Sequence, residues 1–285
     1  MGNKSVIGQA YESLFDGPLV FSFQGLVIAS LIFYLISSII LWIYLFNRKT
    51  VLKKIGFSTL GIGYITQIVY IGIRDIKEKT FYISTHSDIP FFLAFILMTI
   101  FYFFVFFYKE KLKELSSFVS TINTVLIALT LPHIYADDKV SLKNIWFHLH
   151  IIFSTVSLGL IIFSFIIALI YFFLERDLKA KNLNSFFISK LSISLTTIQN
   201  LVSKINILIF ISLTLSLVAS SIWVSVYKNI HWLTQPREFG LIGILIYYGV
   251  LVHLGLFFPQ RKKLQIKATI VGALISILMF VFTKH

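Results

Sequence analysis

Cysteine is absent from the 285 residues, which excludes disulfides, thiolate metal sites and thioether chemistry on the chain itself. Charge is scarce too, at 13% of the chain. There is no glycine-rich phosphate loop, no close pair of intramembrane carboxylates, and no repeat beyond the span pattern described below. No catalytic set stands out, so the chain is not expected to be an enzyme by itself. Any metal or redox role falls to His, Tyr or carboxylates. Apolar residues, by contrast, make up 57% of the chain and include 30 Phe, and they come in long blocks. Blocks of about twenty apolar residues match a hydrocarbon layer about 30 Å thick, so a soluble domain with one large core is excluded.

The blocks predict an all-α, polytopic membrane helix bundle with about eight transmembrane helices, near 25–46, 56–73, 89–108, 117–134, 146–174, 205–226, 238–258 and 266–283. Asn123 and several Ser and Thr residues dilute the fourth. Residues 25–285 then form a single transmembrane domain preceded by an N-terminal segment, 1–24. That segment mixes polar and aromatic residues without a basic, apolar and small-residue cleavage pattern, so it is expected to be retained.

The formal net charge of +13 would suit a nucleic-acid partner, but the placement of the charges argues otherwise. Lys and Arg at 48, 49, 53, 54, 109, 111, 113, 176, 179, 181, 190, 204, 261, 262, 263 and 267 fall in alternate loops, which puts 16 of the 25 on one side. Cytoplasmic loops carry such an excess, so both termini are expected on the outer side of a multi-pass protein of the cell (inner or plasma) membrane. Anionic lipid headgroups are the partners this basicity predicts.

With that topology, His86, His133, His148, His150, His231 and His285 lie at outer span ends, and only His253 lies well inside a span. Histidine is tolerated at interfaces, so clustering alone assigns none of them a role. In "NIWFHLHIIFSTVSLG", a helix puts Trp146, His150, Ser154 and Ser157 on one face and turns His148 away. His150 is therefore expected to meet other helices. In "HWLTQPREFGLIGILIYYGVLVHL", Glu238 and His253 are separated by about 22 Å of helix rise and about 60° of rotation. An ionisable group at that depth is costly unless it faces the bundle interior. His253 is either a functional residue or a histidine bonded across to another helix, with Gln67 as a possible partner. Gly240, Gly243 and Gly249 suit close helix packing. The segment "RDLKAKNLNSFFISKLSISLTTIQNLVSKIN" alternates Lys with Leu, Ile and Phe and predicts an amphipathic helix on the cytoplasmic leaflet.

These residues resemble the integral-membrane cytochrome c assembly family, whose members handle haem on the outer face of the membrane and include HemX-like proteins. The family's tryptophan-rich loop, W-x-W-D-P-K-E, and the helix after it ending Y-x-x-Y-L-H are similar to the segment from His231 to Leu254. Trp232, Pro236, Arg237 and Glu238 fall in register, and His253 keeps its distance from the glutamate. Thr234 and Gln235 replace the second tryptophan and the aspartate, and near Pro90 the Asn and Glu usual in the family are missing. The eight spans and their short loops leave no room for the large outer domain that is fused or partnered in full ligation systems, so none is expected within these residues. A divergent, HemX-like member fits these departures better than a complete ligase.

The resemblance implies haem b, bound transiently, as the cofactor. His150 and His285 would be its outer ligands, and His253 would meet haem entering from inside. Trp232, Trp223 and Trp146 would form the apolar platform. His231 or Arg237 would pair with a propionate, and Glu238 would orient Arg237 or cap its helix. It implies apocytochrome c or an assembly partner, with haem ligation requiring that partner. An alternative is a HemX-like regulator that acts on a haem biosynthesis enzyme without binding haem. A small-molecule permease would call for inverted repeats or broken helices at mid-membrane, and the sequence has neither.

Overall fold

A computed structural model of the chain describes residues 23–78, 88–133, 144–182, 184–191, 193–227 and 236–282. Among these residues there is no strand. Ten α-helices follow in order: α1 Phe23–Asn47, α2 Thr50–Glu78, α3 Ile89–Tyr108, α4 Glu110–Lys113, α5 Ser116–Ala128, α6 Ile145–Lys179, α7 Phe186–Lys190, α8 Leu195–Tyr227, α9 Pro236–Phe257 and α10 Lys262–Phe282. Seven of them, α1, α2, α3, α6, α8, α9 and α10, are long and apolar enough to cross a membrane. The chain is an all-α, multi-pass membrane protein.

The expected fourth span is shorter than the others. Its 13-residue helix, α5, rises only about 20 Å, and a 3-10 turn at Leu131–His133 follows it. Ser116, Ser117, Ser120 and Asn123 are all buried against neighbouring helices. The polar residues that dilute its hydropathy therefore face protein.

The surface helix expected between the fifth and sixth spans also differs. Ile198, Leu201, Val202 and Ile205 are fully buried at spacings of three, one and three, so the second half of that segment is the first turns of α8 inside the bundle. Only the five-residue α7 remains separate, capped by Ser185. It docks through Phe186, whose ring lies 6.3 Å from Trp42, and Phe187, 4.9 Å from Phe173.

Side-chain pairs give the helix directions. Tyr34 bonds Gln67, so α1 and α2 are antiparallel neighbours. The Phe163 ring stacks on Phe104 at 5.5 Å, and Gly159 faces Ile96 and Ile100, which makes α3 and α6 parallel. A Cβ on Gly159 would lie 3.0 Å from Ile100 and 3.1 Å from Ile96, so glycine sets how closely these two helices approach. Tyr171 accepts from Gln199 at 3.0 Å near one end of α6 and α8, and Phe147 meets Trp223 at 4.9 Å near the other, so this pair is antiparallel. Asn206 donates to Thr269 and Ser203 to Gln265, aligning α8 parallel to α10.

In consequence, the sixteen basic residues listed above gather at one end. There Arg48 pairs with the buried Glu114 at 3.1 Å, Lys190 donates to the Phe46 carbonyl, and Lys263 bonds Glu175 at 3.1 Å. Arg48, Lys109 and Lys181 each take a left-handed backbone, with φ of 57°, 48° and 53°, as the chain leaves a helix. At the opposite end Arg74 of α2 makes a two-pronged ion pair with Asp88, which precedes α3, and the second prong measures 3.0 Å.

Candidate functional site

The end opposite the basic one collects the N termini of α6 and α9 and the C termini of α8 and α10. Asn144 starts α6 there, its side chain accepting from the Trp146 N–H at 2.9 Å. His150 lies six residues after Asn144, about 7.5 Å beyond the first helical residue, Ile145. It is buried at the α6–α8 contact.

Its surroundings fix its chemistry. His150 Nδ1 lies 3.1 Å from the Ser216 carbonyl oxygen, which can only accept, so Nδ1 carries the hydrogen. The lone pair of a neutral ring then resides on Nε2. Ser216 Oγ lies 3.1 Å from the same nitrogen, and Ser154 Oγ bonds Ser216 Oγ at 2.6 Å. A carbonyl on one ring nitrogen is the outer-shell support that metal-ligating histidines use to fix tautomer and orientation.

Two cavities adjoin. One, of about 90 Å³, runs from His150 towards the basic end along Ser154, Ser157, Leu213, Ile244 and Ser276. The other, of about 260 Å³, opens between α9 and α10 and is lined by Gly240, Gly243, Tyr247, Gly272 and Met279 among others. Ile244, Ser276 and Met279 border both. A Cβ at Gly240 would collide with Met279 Cε, so the methionine already occupies the notch that this glycine leaves.

Of the other residues singled out in the sequence, Trp223 is half-buried near the end of α8 with its ring against Phe147, and Trp146 is half-buried at the start of α6. His148 is half-buried, its ring 6.0 Å from that of Phe147. Pro236, Arg237 and Glu238 form the first turn of α9. His231, Trp232 and His285 lie outside the described residues, as does His86. The topology nevertheless brings the ends to which they attach to one side of the bundle.

His253 differs from expectation. It lies near the basic end of α9, exposed, with its ring 4.5 Å from Phe257 and 5.9 Å from Phe258. Gln67 is bonded to Tyr34 instead. The reason is the position of α9, which has the least buried apolar stretch of the seven long helices, so most of its circumference faces outward. Ser216 and Ser276 are the site residues that sequence reasoning missed. Each sits in an apolar span, with no signal in its own helix that it faces His150 or its cavity.

A family model described as cytochrome C assembly protein matches residues 83–284, well over half of the chain. The chain belongs to this family. The match begins just before α3 and takes in every described candidate residue, while α1 and α2 precede it. This member of the cytochrome c assembly family is also similar to the cytochrome c biogenesis protein CcsA of Cyanidium caldarium. The two are 24% identical over 229 residues, covering 70% of this chain and 76% of the relative.

Proposed function

We propose that the end opposite the basic one faces outward across the cell membrane, and that this protein handles haem there during cytochrome c maturation. The observation that carries the reading is the bond from His150 Nδ1 to the Ser216 carbonyl, which orients the imidazole as the second bond of a metal-ligating histidine does. The donor set suits haem iron, for which histidine is a common axial ligand. The cavity on the basic side of His150 does not suit a macrocycle, because about 90 Å³ is far below the several hundred Å³ of ordinary ligand pockets.

Haem, when bound, supplies the iron and the flat apolar surface that make it the cargo of assembly. His150 would ligate the iron, and His285, beyond α10 in the sequence, is the candidate for the second ligand. Trp146 and Trp223, with Trp232, present apolar surface beside it. Arg237 or His231 pairs with a propionate, since a guanidinium binds a carboxylate through two parallel hydrogen bonds. Glu238, in the first turn of α9, is favoured by the positive end of the helix dipole. His253, exposed near the basic end, is the candidate to meet haem arriving from the cytoplasmic side. Apocytochrome c, or a partner that holds it, receives the cargo, and anionic lipid headgroups meet the basic end.

A second reading is favoured by Thr234 and Gln235, which thin the tryptophan-rich loop: a HemX-like regulator acting on a haem biosynthesis enzyme without carrying haem. Disrupting the gene and staining membranes for covalently bound haem separates the two. Loss of mature cytochrome c supports haem handling; unchanged cytochrome c with altered haem synthesis supports the regulator.

A further inference from the structure

Apart from the α6–α8 contact that holds His150, four helices bring together a group of polar side chains within their apolar stretches. Gln67 of α2 and Asn123 of α5 are both fully buried, as is Tyr34 of α1. The Tyr34 hydroxyl donates to Gln67 Oε1 at 2.7 Å, and Asn123 Nδ2 donates to the Ala94 carbonyl of α3 at 3.1 Å. Asn123 also lies against the Tyr34 hydroxyl. These bonds use one pole of each amide. Gln67 Nε2, with two N–H donors, and Asn123 Oδ1, an acceptor, have no hydrogen-bond partner among the described residues. The Tyr102 hydroxyl of α3, also buried and without such a partner, neighbours Tyr34.

Orphaned poles of this kind are costly in any protein interior, and lipid has nothing to offer them. Chance disorder of amides is a poor explanation, because each amide is pinned at its other end. What remains is one unmet donor on α2 and one unmet acceptor on α5, both on residues that touch Tyr34 of α1, whose single hydroxyl hydrogen goes to Gln67 and whose oxygen can still accept. A water molecule, which accepts and donates two hydrogen bonds each way, complements that set.

We propose that α1, α2, α3 and α5 enclose a built water site, in which one or two ordered waters bridge Gln67 Nε2 and Asn123 Oδ1 with the Tyr34 hydroxyl as a further partner. The site has a structural consequence. α1 and α2 precede the segment that carries the family match, and this water, with the Tyr34–Gln67 bond, joins them to α3 and α5 inside it. Polar side chains continue from it towards the basic end. Thr121 lies 2.7 Å from Ser38 and accepts from Trp42 at 2.9 Å, and Glu114 pairs with Arg48 beyond. The joint is hydrated rather than dry, and the proposal stands apart from haem binding.

X-ray radiolytic labelling of the full-length, detergent-solubilised protein, read by mass spectrometry, tests it, because hydroxyl radicals formed from a trapped water oxidise the side chains touching it. Tyr171 is the comparison: equally buried, with its hydroxyl paired directly to Gln199. The expected result is Tyr34 modified several-fold faster than Tyr171. A variant carrying Gln67→Leu and Asn123→Leu should lose that excess. Equal rates for Tyr34 and Tyr171 in the unaltered protein would overturn the proposal, as would an excess that survives in the folded double variant. The unaltered protein decides alone if the variant does not fold.

Discussion

His150 on α6 and Ser216 on α8 are locked together by both the carbonyl and the hydroxyl of the serine, each 3.1 Å from the same ring nitrogen. The two bonds are not equivalent. The carbonyl fixes the tautomer and belongs to the backbone, which substitution at this position leaves in place. The hydroxyl can be removed. Ser216→Ala is therefore predicted to weaken haem binding by less than the roughly 10–100-fold that loss of an outer-shell partner typically costs at a metal site. Haem titration in detergent, followed at the Soret band, measures this. A loss as large as that of His150→Ala would mean that the hydroxyl, not the carbonyl, orients the ring.

The two ends of the bundle carry ion pairs of unequal worth. Arg74 and Asp88 have side chains only 12% and 10% exposed and meet as a fork, whereas Lys179 and Lys263, which share Glu175, are 66% and 63% exposed. Breaking the first pair strands a buried charge, so Asp88→Ala should cost about 3–5 kcal/mol. Lys263→Ala removes an ammonium held mainly by solvent and should leave stability nearly unchanged. Unfolding midpoints of the two variants in the same detergent compare them directly.

Lys181 occupies the position after the C terminus of α6 where glycine is preferred. The Asn182 N–H reaches the Asp177 carbonyl at 3.0 Å and the Lys181 N–H the Leu178 carbonyl at 3.1 Å, which is the Schellman pattern around a left-handed residue. Lys181→Gly should raise stability by about 0.5–1 kcal/mol, the left-handed penalty less the entropy of a freer unfolded chain. A lowered thermal midpoint would show that the lysine side chain contributes more than its backbone conformation costs.

Gly159 is a point of close approach between α3 and α6. A methyl there meets branched Ile96 and Ile100 in a packed core, so Gly159→Ala should destabilise by about 1–3 kcal/mol. Gly243, where an added Cβ would find nothing within 4 Å, is the contrasting site. Gly243→Ala should not destabilise in the same unfolding assay and should gain up to about 1 kcal/mol from the stiffer unfolded chain.

Legibility in the sequence followed the physics of each feature. Apolar blocks record the solvent, so α3 matches its expected limits at Ile89–Tyr108, and the alternation of basic loops marks one end of the bundle. Hydropathy does not record neighbours. Ser, Thr and Asn dilute α5 because they pack against protein, and the Lys-studded run before α8 turns its apolar face into the bundle rather than onto lipid. The same lack of neighbours explains the two histidines. The wheel of α6 carries Ser154 and Ser157 beside His150 and so marks a protein-facing side. The wheel of α9 offers only a rotation between Glu238 and His253, which does not say that the helix lies at the edge.

The account rests on His150 as a haem ligand at the end opposite the basic one. The most direct test is the visible spectrum of the purified full-length protein supplied with haem, oxidised and reduced, beside His150→Ala. A low-spin b-type spectrum that collapses in the variant, with the variant still folded by circular dichroism, is the predicted result. No haem absorbance in the unaltered protein, or an unchanged spectrum in the variant, would contradict it.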